Sequence, residues 1–232
     1  LDEIENMFNS MKQKAAVGVV YNNKGEILRS HANQVRGKAE VRQGDANYEN
    51  YLEAFRAIDL ALANVNAQLI QNENKIASLN KKREKKHIQP ETPQDQPYRE
   101  VEGRLQRRAL KLLSTLGSRQ SNKSLALKDA GDHEEALTMA QEAYNNYEKS
   151  DDLLGMIKVL GNKGLIFLDM SATPNAENCF LQAYNMANNK FTNEPSEETC
   201  TAFQFACMNM GIFRVHVMEK EKKVEDSVKH EA

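Results

Sequence analysis

The chain contains no tryptophan, and nowhere do its apolar residues run long enough to cross a bilayer. No secretory signal pattern opens it either, so the expectation is a cytoplasmic protein without a membrane span. Its cysteines, Cys179, Cys200 and Cys207, are an odd set with no CxxC pair, which argues against a disulfide framework and suits reduced thiols. The histidines His31, His87, His133, His216 and His230 are scattered without an HxxxH spacing, so no metal centre is expected. No GxGxxG or GK[ST] loop offers to cradle a phosphate, since Gly18 and Gly25 lie in a helical pattern. A net charge of -2 leaves no case for polyanion binding by the chain as a whole. No stretch alternates β-branched and polar residues, so an all-α, strand-free fold is expected. Neither an enzyme nor a cofactor is indicated. The first residue is Leu1 and not methionine, which suggests a piece of a longer polypeptide.

What is present is a spacing that returns. Ser124, Ala136 and Ala143 recur as Gly164, Ala176 and Ala183, each moved by about 40 residues, the period of repeats built from paired helices. Residues 120–130 and 134–147 each carry apolar side chains at helical spacing, and Gly131-Asp132 breaks them apart. Asp132 followed by Glu135 is a capping-box pattern that starts the second helix, and Thr173-Pro174 starts its counterpart in the next unit. The nearby acids Asp129, Asp132, Glu134 and Glu135 are read as helix-capping residues for the same reason.

Ser124, Leu127, Ala136, Ala140 and Ala143, then Gly164, Phe167, Ala176, Phe180 and Ala183, resemble the small, apolar and alanine positions of the tetratricopeptide repeat (TPR). The variant resembled is the lengthened one, of about 40 residues, found in kinesin light chain and in spindle-orientation scaffolds. Glu148 and Asn188 replace the family's closing proline, and Lys123 and Lys163 stand where the family prefers leucine. The resemblance implies a TPR-like α-solenoid of antiparallel helix pairs, in which Gly or Ser on the first helix and Ala on the second permit close crossing.

Four segments are expected along the chain. Residues 1–62 form an N-terminal unit: a short amphipathic helix over 1–11, an opening helix over 15–31, and a closing helix carrying Ala54, Ile58 and Ala61. About 17 extra residues, a polar stretch from roughly 32 to 48 read as extended helix ends plus a loop, separate the last two, which a surface loop tolerates at little entropic cost. Residues 63–97 are a charged helix and a linker or hinge holding Pro90, Pro93 and Pro97. Residues 98–190 start with an apolar stripe of Val101, Leu105, Leu112 and Leu116 and hold two TPR-like units. Residues 191–232 are a half repeat over 206–217, with Gly211 in the place of Gly164, and a charged capping tail.

Two candidate sites follow. The four opening helices carry NNKG, SNKS, GNKG and MNMG, so Asn23, Asn122, Asn162 and Asn209 share one register. Asparagine is a mediocre helix former, and packing alone does not ask for it four times at one place. In the resembled family this register faces the concave groove, which implies a ladder holding the backbone of an extended peptide, with Leu125, Leu165, Leu168 and Ile212 offering apolar pockets beside it. The alternative reading is an inter-helix hydrogen bond. The second candidate is a basic patch of Lys81, Lys82, Arg83, Lys85, Lys86, Arg104, Arg107 and Arg108. Only Tyr98 accompanies it for base stacking, so a solvated helix face is preferred to nucleic-acid binding. The expected partner is another protein, as a peptide segment or as the neighbour in a permanent cytoskeletal or sensory assembly, and cytoskeletal association extends the cytoplasmic expectation.

Overall fold

The computed structural model describes residues 14–37 and 46–231, with side chains placed over 16–37 and 48–222. The helix expected over 1–11 and the middle of the polar insertion lie outside the described residues. Among those described, the protein is all-α, without a strand. Its elements are α1 (Lys14–Arg36), α2 (Ala46–Lys85), α3 (Gln96–Ala130), α4 (His133–Lys149), α5 (Leu153–Asp169), α6 (Thr173–Asn193) and α7 (Glu197–Glu231). No described helix is long and apolar enough to cross a membrane.

Each helix packs on the next, so α1/α2, α3/α4 and α5/α6 are consecutive antiparallel pairs. The opening helices α1, α3, α5 and α7 also touch one another in order, which stacks the pairs in a solenoid-like arrangement. The turn at Gly131 shows how a pair closes. Gly131 takes a φ of 89°, donating to the Lys128 carbonyl, and the Asp132 N–H donates to the Leu127 carbonyl at 2.9 Å. Glycine reaches that conformation without a Cβ clash. In the next pair the equivalent position is Ser171, which adopts a φ of 60° despite its side chain.

The core of each pair is a size match. A Cβ at Gly25 would come within 2.5 Å of Ile58, and one at Gly164 within 2.5 Å of the Phe180 ring, so each glycine is the notch that a bulky closing-helix residue fills. At the equivalent crossing the larger Ser124 stands in register with the smaller Ala140, and both are wholly buried. Ile58 and Phe180 are likewise fully buried. Each contributes about 1.5–3 kcal/mol by leaving water. Phe180 also meets Phe213 of α7, ring centroids 5.6 Å apart, which carries the packing on to the next opening helix.

Several local expectations are corrected. Asp132 sits at the start of α4 but makes no side-chain cap; its carboxylate accepts from the Tyr48 hydroxyl at 2.7 Å instead. Asp129 caps nothing either. Its side chain is held by α1, accepting from Arg29 Nη1 and Asn33 Nδ2, each at 2.9 Å, while Arg36 Nη1 donates to its carbonyl at 2.6 Å. Both acids serve long-range ties between units, Asp132 to a buried tyrosine hydroxyl and Asp129 to half-buried guanidinium and amide groups, which need a partner more than an exposed helix end does. The start of α6 falls one residue earlier than expected, with Ala172 in the N-cap position and Thr173 inside the helix. The polar insertion agrees with extended helix ends: its described ends are helical, and Tyr48 within it and Tyr51 just after it are buried against Phe55.

Two long helices, α2 and α3, extend beyond the pairs as an arm. Val65, Leu69, Asn72, Ile76, Leu79 and Arg83 on α2, and Tyr98, Glu102, Leu105, Ala109, Leu112 and Leu116 on α3, recur at alternating steps of four and three, the spacing of a coiled-coil seam. Buried Asn72 donates to the Leu105 carbonyl at 2.9 Å, which pins the register. The proline-containing connection is mostly exposed and reverses the chain between two helices that pack on each other. Arg83 lies 2.8 Å from buried Asp95 and 3.2 Å from Glu102, with its guanidinium 6.0 Å from the Tyr98 ring centre. Asp95 also accepts from the Glu91 N–H at 3.2 Å.

Candidate functional site

Along the row of opening helices the register asparagines do one thing repeatedly. Asn122 Nδ2 donates to Asn22 Oδ1 at 3.0 Å, and Asn162 Nδ2 donates to Ser121 Oγ at 3.0 Å. Asn209 is buried, its amide lying directly over Gly161, where a Cβ would collide with it. The residues met are 22, 121 and 161, each one position before the equivalent asparagine of the preceding unit. The amides therefore clasp one unit to the next. Asn23, on α1, is exposed. Asn122 and Asn162 are half-buried, and a primary amide has two N–H donors and an acceptor oxygen, so one tie to a neighbour does not exhaust it.

Of the apolar residues expected beside them, Leu125 and Leu165 are half-buried and Ile212 is exposed. Leu168 is 7% exposed and belongs to the core with Ala176, Phe180 and Phe213, so it presents almost no surface. The clefts between α1 and α2, lined by Tyr21, Leu28, Arg56 and Leu60, and at the turns lined by Asp151, Lys190, Glu194 and Glu198, contain none of the register asparagines.

A second set of ties was not expected from the sequence. Lys123, next to Asn122, donates to Asp59 of α2 at 2.7 Å, and Lys163, next to Asn162, donates to Gln141 of α4 at 2.8 Å. Asp59 and Gln141 each follow the residue that fills or faces the crossing notch, Ile58 and Ala140. At the same places further along stand Met210 and Leu181, both apolar, so the polar tie is not repeated there. That matched change is the signal the sequence offered, at positions where the resembled family prefers leucine.

Between α1 and α3 lies a half-buried charged cluster. Burial raises the Glu26 carboxyl above its ordinary range, against the lowering effect of Arg29, and burial lowers Arg119. Lys128 reaches both Asp129 at 3.2 Å and Asp169 at 3.0 Å, which joins α3 to α5. These charges neutralise one another across unit boundaries, and their arrangement is that of structural ties.

The basic patch is spread around the tip of the arm. Lys81, Lys82, Lys85, Lys86, Arg104, Arg107 and Arg108 are exposed, whereas Arg83 is committed to Asp95 and Glu102. Among the described residues no group of three or more His, Cys, Asp or Glu side chains is placed to hold a metal ion. Cys179 is buried, which pushes its thiol up from the usual value, while Cys207 is exposed.

No protein-family model matches the chain, and no curated protein or solved structure matches it.

Proposed function

We propose that the chain is a non-enzymatic, TPR-like scaffold of the cytoplasm that holds an extended or helical segment of another protein along its row of opening helices. What supports this is the pair Asn122 and Asn162, half-buried at one register, each with a single amide N–H engaged by the preceding unit. The other N–H and the amide oxygen are the groups that read a peptide main chain without demanding a sequence. Leu125, Leu165 and Ile212 stand beside them to select side chains.

A selection from a random peptide library against the whole chain supplies the probe. Hydrogen exchange with the selected peptide bound should slow amides of α3 and α5 around Asn122 and Asn162. Protection confined to the closing helices or to the arm would overturn the proposal.

A second reading is a structural segment of a cytoskeletal or sensory assembly, packed permanently against neighbours. It is supported by exposed apolar side chains on the arm, Ile70 and Leu110, which a permanent neighbour would cover. Nucleic-acid binding through the arm's basic residues is the weaker possibility, because Arg83 already has carboxylate partners.

A further inference from the structure

Among the described residues the crossing notch occurs four times, and three of these have a closing-helix residue in register. Gly25 receives Ile58, buried Ser124 is in register with buried Ala140, and Gly164 receives the Phe180 ring. Gly211 of α7 occupies the same register, and a Cβ built on it would meet nothing within 4 Å. Around it the outer face of α7 is apolar and in water: Met208 is 54% exposed, Ile212 42%, Val215 55% and Met218 66%, with exposed Cys207 one turn before the notch. On α5 the counterparts of Cys207, Gly211 and Val215, which are Leu160, Gly164 and Leu168, are buried, and the counterpart of Ile212, Leu165, is half-buried. The opposite face of α7, through Ala202, Ala206 and Phe213, is already packed on α5 and α6. Among the described residues, then, α7 is an opening helix without a closing helix on its free face.

We propose that this face docks an α-helix of a partner protein, which takes on α7 the place that α6 takes on α5. Continuity of the stack defines the chemistry of the occupant. The closing helices read Ala54-x3-Ile58-x2-Ala61, Ala136-x3-Ala140-x2-Ala143 and Ala176-x3-Phe180-x2-Ala183, with a bulky residue wherever the facing notch is glycine. The docked helix is therefore amphipathic and antiparallel to α7, with a large apolar residue seated on Gly211 and small residues four positions before and three after it. Ridge-into-groove packing requires the small residues so that the two backbones can approach. This surface shares Ile212 with the proposed peptide row but includes neither Asn122 nor Asn162, so loss of either amide leaves the notch at Gly211 intact.

The probe is a fluorescent peptide of the α6 sequence, residues 173–193, titrated into the whole chain. Saturable binding is expected, weakened at least about tenfold when the peptide carries Phe180→Ala or the chain carries Gly211→Leu. Asn162→Ala in the chain should leave this binding unchanged. Because the notch is open, Gly211→Leu should not lower the melting temperature, which separates lost docking from lost folding. The proposal is overturned if the peptide fails to bind. It is equally overturned if binding survives Gly211→Leu, since the peptide would then be exchanging with α6. It is also overturned if sedimentation shows a dimer that Gly211→Leu dissociates, because a second copy would then cover the face.

Discussion

The arm is the extension of α2 and α3, two helices that also belong to the stack, yet the two regions cohere by different means. In the stack, each crossing sets a small residue under a large one and both are removed from water. In the arm, between residues 66 and 115, the buried side chains are Asn72 and Asp95, both polar. Volume complementarity supplies the favourable free energy of burial, whereas a buried amide and a buried ion pair fix register and direction for little net gain. The arm should accordingly open on its own, well before the stack unfolds.

The sharpest test of that contrast is Phe180→Ala. The ring is fully buried over Gly164 and against Phe213, so its removal should cost about 3–5 kcal/mol in denaturant unfolding and lower the melting of α5, α6 and α7 together. A cost below about 1 kcal/mol would mean the notches do not carry the stack.

Alkaline titration probes the same core. Burial is the main cause that pushes the Tyr147 phenol up to about 12 from 10.0, and Tyr48 is pushed up to about 12 mainly by burial and by its bond to Asp132. Folding favours the neutral phenol, so this stabilisation is complete below pH 10 and is lost as the pH rises through about 12. Ultraviolet titration should show these tyrosines ionising together with unfolding. Ionisation near pH 10 with the helices intact would contradict their burial.

In the arm, Asp95→Ala should remove one of the two carboxylate partners of Arg83 and the acceptor of the Glu91 N–H, costing about 1–3 kcal/mol locally. The readout is faster tryptic cleavage between Lys81 and Arg99 with the global melt almost unmoved. If the whole chain melts earlier instead, arm and stack are one cooperative unit. The smallest effect is expected at a turn: Ser171→Gly should raise stability by about 1 kcal/mol, because the position has a φ of 60° where its counterpart is already glycine.

How much of this was legible follows from where the information lies. The notch residues, the Gly131 break and the alternation of opening and closing helices are set by local spacing, and the sequence carries them openly. The Asn122–Asn22 and Arg29–Asp129 ties join residues 100 apart, and a polar residue does not announce its partner. Asp129 and Asp132 read as caps because a local explanation was sufficient for them. The arm's seam was written in steps of four and three, but lysines and arginines around it dominated the composition. Tyr48, in the polar insertion, and Tyr51, just past it, are buried at the start of α2, which the polar composition around them did not announce. For the asparagine register, the spacing pointed to both a peptide ladder and an inter-helix bond. The geometry supplies the bond at Asn122 and Asn162 and leaves amide capacity beyond it.

The direct measurement is therefore a titration of the library-selected peptide into Asn162→Ala, with a thermal melt of the same sample. If the amide reads a bound main chain as well as clasping Ser121, affinity should fall by about 1–3 kcal/mol while the melt drops only by what one inter-unit hydrogen bond is worth, about 1 kcal/mol. A collapsed melting temperature with affinity unchanged would show that the asparagines only hold the units together, and the scaffold reading built on them would fail.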